Sequence, residues 1–192
     1  MTNITIFGTG NMGTAIGSVF NAGGHSVQHV NTESKPDAIT GDIVVLAVPY
    51  AALESIADTY KAELAGKVVV DITNPVSFET FDDLVVPADG SAAKELAAKL
   101  PESHVLKAFN TTFGPTLATG KVGENRTTVL VAGDDAGAKA SLIEAVTSGG
   151  VVDAIDVGSL KRARELEALA FLQITLAATE KVGWTGGFAV VR

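Results

Sequence analysis

The stretch Ile4-Thr5-Ile6-Phe7-Gly8-Thr9-Gly10-Asn11-Met12-Gly13 decides the fold. Four apolar or β-branched residues make a strand candidate, and a glycine-rich turn follows it. Beyond the turn, Met12, Ala15, Ile16, Val19 and Phe20 recur at helical spacing, and Gly23-Gly24 stops the run. GTGNMG therefore lies between a strand and a helix, the context that gives the glycine fingerprint meaning. Gly8 permits the tight turn, Gly10 lets the backbone approach a pyrophosphate, and Gly13 lets the helix pack on the strand. The N–H groups at the helix start then face the phosphates, helped by the helix dipole. The plain alternative is a tight strand–helix turn without a ligand. A second strand where a βαβ unit needs it favours the dinucleotide.

Outward from this unit, short apolar runs alternate with helical patterns almost to the end of the chain. Strands are expected at Ile4–Phe7, Val27–Val30, Ile43–Ala47, Val68–Asp71, Val105–Phe109, Thr128–Val131 and Val151–Ile155. Leu53, Ile56, Ala57, Tyr60 and Leu64 mark one helix between them. Ala93, Leu96, Ala97 and Leu100 mark another, with Ser91 as N-cap and Pro101 ending it. Only Thr32 to Gly41 join the second and third strands, too few for a helical crossover, and Pro36 and Gly41 oppose helix there. From Ser159 to Val182 a single long helix is expected, apolar on several faces and therefore covered on both sides. The pattern predicts an α/β, Rossmann-type, doubly wound and mainly parallel sheet with a long C-terminal helix. Residues 1–192 read as one domain, with a core of 1–157 and a helix and tail of 158–192.

Composition narrows the function. Of 192 residues, 46% are hydrophobic and 19% charged, as in an ordinary soluble domain. A net charge of −8 opposes nucleic acid or an anionic membrane as partner. Without cysteine there is no thiol chemistry, and His25, His29 and His104 lack zinc-ligand spacing, so no metal is expected. No signal peptide is visible and the apolar run Ala168 to Ala178 is too short to span a bilayer, so a cytoplasmic protein is expected.

The tip of the second strand selects the cofactor. NAD sites commonly place an acid about 20 residues beyond the glycines to bind the ribose 2′-hydroxyl. Here Asn31 and Thr32 carry no carboxylate to repel a 2′-phosphate, and Thr32, Ser34 and Lys35 can donate to one. That favours NADP, although Glu33 in the same segment is the acid that an NAD site would use. The carboxyl ends of strands one, four and five are expected to meet at the switch point. Asn74 there precedes Pro75 and is biased toward extended backbone, which suits either a ligand contact or a simple strand-ending turn. Asn110 suits a carboxamide or a backbone cap.

The ordered set GTGNMG, Ala47-Val48-Pro49, Asp71-Ile72-Thr73-Asn74-Pro75-Val76, Lys107-Ala108-Phe109-Asn110-Thr111, Val131–Asp135 and Ala163–Glu167 resembles the deazaflavin-dependent NADP reductases. It is also similar to the reductase domain of the six-transmembrane ferric reductases. The resemblance implies that Thr9, Asn11 and Met12 join Gly8, Gly10 and Gly13 around the pyrophosphate. It implies Asn31, Thr32 and Lys35 beside the 2′-phosphate, and Ala47, Val48 and Pro49 along the ribose. Ile72, Asn74 and Pro75 would approach the nicotinamide, with Phe109 and Asn110 at the edge of the hydride-transfer crevice. The chain departs from the family where Asn31-Thr32 replaces a usual Ser-Arg pair.

Other candidates are weaker. Phe78 and Phe81 suit a loop anchor better than a ring-stacking lid. Glu167, three residues after Arg164, reads as half of a helical ion pair. His25 opens the second strand in a structural role. The tail Gly183–Phe188 suits closure over the site or a homodimer contact equally. The resulting expectation is an NADP-dependent oxidoreductase passing a hydride to a flavin-like or deazaflavin acceptor, with no catalytic side chain. The rivals are an imine or carbonyl reductase resembling pyrroline-5-carboxylate reductase, and a non-catalytic redox sensor. The first appends a large helical region, for which little chain remains after Gly158; it would also need an acid, and Lys107 is the candidate, on one strand face with Phe109.

Overall fold

The apolar runs assemble into a seven-stranded sheet in the computed structural model, which describes residues 1–31, 38–77, 79–80 and 82–191. The strands in chain order are β1 (Asn3–Phe7), β2 (Ser26–Val30), β3 (Ile43–Leu46), β4 (Val68–Asp71), β5 (His104–Lys107), the two-residue pair β6 (Lys121–Val122) and β7 (Asn125–Arg126), β8 (Thr128–Gly133) and β9 (Asp153–Gly158). The large sheet runs β2-β1-β3-β4-β5-β8-β9. The first five strands pair in parallel, β8 lies antiparallel to β5, and β9 is parallel to β8. The topological switch therefore lies between β1 and β3, since β2 flanks β1 on one side and β3 on the other. This corrects the expected meeting of strands one, four and five: β3 stands between β1 and β4.

Helices cover both faces, as a parallel sheet requires. They are α1 (Asn11–Ala22), α2 (Leu53–Leu64), α3 (Ala92–Lys99), α4 (Gly114–Thr119), α5 (Ala136–Thr147) and α6 (Ala163–Ala178). Ile16, Val19 and Phe20 of α1, Leu117 of α4 and Leu142 of α5 share one apolar core with Ile4, Ile6 and Val45 of the sheet. Leu53 and Ala57 of α2, Leu96 of α3 and Ala163 of α6 share the other with Val44, Leu46 and Val69. Each fully buried Ile, Leu or Phe contributes about 1.5–3 kcal/mol, so the alternation along each strand glues a helical layer to either side. Ser91 caps α3 as expected, its hydroxyl accepting from Lys94 N at 3.1 Å.

Several boundaries differ from expectation, each for a local reason. β3 and β5 end at Leu46 and Lys107, short of Ala47 and Phe109. Phe109 has a left-handed backbone (φ 63°), which ends the extended run. The last strand begins at Asp153 because Gly150 (φ 65°) prolongs the turn before it. α5 starts where Asp135 accepts from Ala138 N at 2.7 Å; its Ala- and Gly-rich sequence gave no apolar stripe to locate it. The long C-terminal helix is shorter than 159–182: a 3-10 turn at Leu160–Arg162 precedes α6, and Glu180 (φ 58°) follows its end. α6 buries one stripe, Ala163, Leu166, Glu167, Ala170, Gln173 and Ala177, and leaves Leu172 52% exposed, so this chain does not cover both of its sides. His25 has its structural role: its Nδ1 accepts from Thr2 N at 3.2 Å and its Nε2 meets Ser148 Oγ at 2.9 Å.

The connection before β3 carries no helix at 38–41, where Thr5 Oγ1 accepts from Gly41 N at 2.9 Å. Thr32, Glu33, Ser34 and Lys35 lie outside the described residues, as do Phe78 and Phe81. Among the described residues no helix is long and apolar enough to cross a membrane, and no group of His, Asp and Glu could hold a metal.

Candidate dinucleotide site

The phosphate loop divides its glycines by purpose. Gly8 (φ 115°) takes a backbone that side chains rarely adopt, and a Cβ there would meet the Ala47 carbonyl oxygen. A Cβ on Gly13 would meet the carbonyl oxygen of Gly8. Both glycines are therefore demanded by the packing of β1, β3 and α1. Gly10 is different: an added Cβ would meet nothing within 4 Å, and its φ of −73° suits any residue. The fold does not require glycine at position 10, whereas a ligand lying on that backbone would. α1 also has no side-chain cap and no acid in its first turn, which leaves N–H groups at its start directed at the same space. These features fit the pyrophosphate of a dinucleotide.

The loop opens into a cleft of about 570 Å³. Gly8, Thr9, Gly10, Asn31, Ala47, Val48 and Pro49 all line it, so seven of the expected residues share one cavity. Ser55, Ile56, Thr59 and Tyr60 of α2 also line it and were missed: helical spacing marked Ile56 and Tyr60 only as a packing face, and Ser55 and Thr59 carried no signal. Tyr60 is fixed edge-on against Phe7, with ring centroids 5.1 Å apart. His29, also missed, lies under the loop with Nδ1 3.3 Å from the Gly8 oxygen.

Farther along, the ends of β4 and β5 carry Asn74 and Asn110, and the structure locks them together. Asn74 Nδ2 donates to Asn110 O at 3.1 Å, and Asn110 Nδ2 donates to Asn74 Oδ1 at 3.0 Å. Asn110 Nδ2 also reaches Leu166 O in α6 at 3.0 Å. Tight turns present both amides: Val76 N donates to Asn74 O across Pro75, and Asn110 N donates to Ala108 O across Phe109. With φ of 63° at its centre, the second is a γ-turn of the strained hand. Among the described residues, the buried side-chain polar atoms without a partner are Thr73 Oγ1 and Asn110 Oδ1, both at this place. Two of the expected contacts need correction. Phe109 is fully buried with its ring 6.2 Å from Phe20, and Ile72 is 7% exposed in the same core, so neither side chain borders the crevice.

Beneath the amide pair lies a buried ion cluster. Lys107 Nζ donates to Asp71 Oδ2 at 2.8 Å, Thr73 O at 2.6 Å and Glu167 Oε1 at 2.7 Å, which uses all three of its protons. Asp71 Oδ1 accepts from Thr73 N at 2.8 Å, and Glu167 Oε2 accepts from Ala92 N, at the start of α3, at 3.1 Å. Burial raises the Glu167 carboxyl above its usual range, with the Lys107 cation opposing that shift. Glu167 therefore pairs with Lys107 across the fold rather than with Arg164 along the helix; the helical pair is Arg162 with Glu165 at 3.3 Å. Lys107 is also removed as a crevice acid. It points toward α6 while Phe109, released from the strand, turns toward α1. Tyr50, next to Pro49, donates its hydroxyl to Glu95 at 2.6 Å, and its pKa is pushed up to about 12 by burial and then by that carboxylate.

Known proteins resemble this chain. The family model described as NADP oxidoreductase, coenzyme F420-dependent, matches residues 29–75. The F420-dependent NADP reductase of Methanocaldococcus jannaschii is 34% identical over 160 residues, covering 82% of this chain and 71% of that protein. The metalloreductase STEAP3 of Rattus norvegicus is 36% identical over 136 residues, 71% of this chain, which spans a quarter of that protein's length. A crystal structure from Arthrobacter sp. FB24, described as a proposed F420-dependent NADP reductase, superposes with a TM-score of 0.84 at 25% identity, covering all of both chains. The glycine that only a ligand requires, the uncapped helix start and these relatives agree: the chain belongs to the coenzyme F420-dependent NADP oxidoreductase family.

Proposed function

We propose that this oxidoreductase passes a hydride between NADP and a flavin-like or deazaflavin ring. One observation carries the choice of acceptor: among the described residues, the two candidate acids nearest the Asn74–Asn110 end, Lys107 and Tyr50, are both engaged. Reducing a carbonyl or imine needs a proton beside the hydride, usually from a positioned Tyr, Lys or His. Here Lys107 spends its three protons on Asp71, Thr73 and Glu167, and Tyr50 is bound to Glu95 with a pKa near 12. The Asn74–Asn110 pair at that end can bind and orient but not titrate. When bound, NADPH supplies the hydride and its electron pair, and the reduced ring takes its proton from water.

The chain's own residues act by position. The Gly10 backbone and the N–H groups at the start of α1 would hold the pyrophosphate. Thr9, Asn11 and Met12 would flank it, with Ala47, Val48 and Pro49 along the ribose. Asn31, which lines the cleft, would face the 2′-phosphate end. Asn74, Pro75 and Asn110 would set the nicotinamide plane. The relatives named for F420 support the deazaflavin choice.

Anaerobic stopped-flow tests this reading. NADPH, in preference to NADH, should be oxidised with riboflavin or a 5-deazaflavin and not with cyclic imines or small ketones. Turnover of an imine without turnover of either ring would overturn it.

A further inference from the structure

We infer that Trp184 and Phe113 form the seat on which the acceptor ring lies, an inference that rests on the reading just proposed. Trp184 is the single tryptophan of the chain and is 53% exposed. A large aromatic left in water is costly unless something covers it. Its ring packs on Phe113, with centroids 5.0 Å apart and planes tilted by 55°.

Phe113 fixes where this pair stands. It caps the start of α4, three residues after Asn110 of the amide pair. The next residue, Gly114, lies against the phosphate loop: a Cβ there would come 3.5 Å from the Asn11 oxygen and 3.7 Å from the Met12 sulfur. The aromatic pair thus stands by the start of α1, with Phe113 three residues along the chain from Asn110.

The tail holds Trp184 there by specific contacts. A turn closed by Gly186 N donating to Gly183 O at 2.8 Å carries it. Phe188 N then donates at 3.3 Å to Oε1 of Gln173, a side chain only 3% exposed. A polar residue buried in the α6 stripe thereby anchors a segment that would otherwise be free to leave. The result is an aromatic surface held close to the start of α1. Its natural ligand is an uncharged planar ring, which stacks without needing a proton.

The lone tryptophan makes the test direct. Riboflavin added to the protein with NADP present should quench tryptophan fluorescence saturably, after inner-filter correction. Trp184→Ala should raise the KM for riboflavin about tenfold, leave the NADPH Kd within about twofold by calorimetry, and Trp184→Phe should recover most of the loss. A wild-type enzyme that turns over riboflavin while Trp184→Ala keeps its KM would overturn the seat and spare the proposed function. Absence of both quenching and ring turnover would overturn both. A Trp184→Ala protein whose mass by light scattering falls by half, with its riboflavin KM unchanged, would reassign the tryptophan to a contact with a second copy of the chain.

Discussion

The two ends of the crevice are built by opposite means. At the phosphate end, residues 8–13 do the work with backbone alone: one glycine for a left-handed turn, one for close packing and one for the ligand. At the other end, the Asn74–Asn110 pair rests on Asp71, Lys107 and Glu167. These come from three elements and pair across 36 residues (Asp71 to Lys107), 60 (Lys107 to Glu167) and 75 (Ala92 to Glu167). The first device tolerates no side chain at the ligand position, and the second depends on side chains at its centre. A backbone site should therefore fail locally and leave the fold alone, whereas a side-chain site should take the fold with it.

Lys107→Met should show the largest effect. It leaves Asp71 and Glu167 buried without their cation, and breaking a buried pair on one side costs about 3–5 kcal/mol. Urea unfolding at pH 7 would measure it. The sign of its pH dependence is fixed. A carboxyl whose folded pKa is raised, as burial does to Glu167, favours the folded state below its unfolded pKa and loses that contribution as pH rises through the folded value. Without Lys107 this behaviour strengthens, so the deficit should shrink as the pH falls toward 5. A loss under about 1 kcal/mol would mean that the cluster does not bear the amide pair.

The same contrast explains what the sequence disclosed. The phosphate loop was legible because its causes lie within six neighbouring residues, and seven cofactor positions inferred from motifs line one cleft. Most of the sheet was legible because buried parallel strands are continuous apolar runs, as in Ile43–Leu46. The triad was not. The period of two put Lys107 on one face with Phe109, as a crevice acid, and Glu167 looked like a partner for Arg164, because local spacing knows only near neighbours. A charge inside an apolar run was the one available signal: Val105-Leu106-Lys107-Ala108 and Leu166-Glu167-Ala168 each place one among residues bound for the core. Phe109 misled for a related reason, since nothing in the period of two announces a left-handed residue that sends its side chain to the other face.

Gly10→Val comes next in size and sharpens the contrast within one loop. Because a Cβ there meets nothing, the variant should melt within about 2 °C of wild type, as for a surface change of under about 0.5 kcal/mol. Its NADPH affinity should drop at least about a hundredfold, equivalent to about 2.7 kcal/mol, since the side chain fills the pyrophosphate position. Calorimetry and a melting curve on one preparation separate the two. A folded variant that binds NADPH normally would show that the loop is only a turn.

The smallest expected effect is none at all, and it bears on the mechanism. Hydride transfer at saturating NADPH should not vary with pH between about 6 and 8.5 once ionisation of the acceptor itself is removed. Among the described residues, the titratable groups nearest the Asn74–Asn110 end are engaged. Lys107 is fully buried with every proton donated, and Asp71 and Glu167 accept from it at 2.8 and 2.7 Å. Glu167 Oε2 also accepts from Ala92 N, so both of its carboxylate oxygens are engaged. Tyr50, with a pKa near 12, stays protonated throughout the window and bonded to Glu95. Asn74 and Asn110 do not titrate. Single-turnover NADPH oxidation with riboflavin would read the rate directly. A bell or a step inside the window would mean that one of these bonds opens during turnover. Glu167→Gln then identifies which: Gln keeps an acceptor for Lys107 but cannot ionise, so a step that vanishes in that variant belongs to the triad. A step that persists would return the assignment to a carbonyl or imine reductase with an acid supplied from outside the triad.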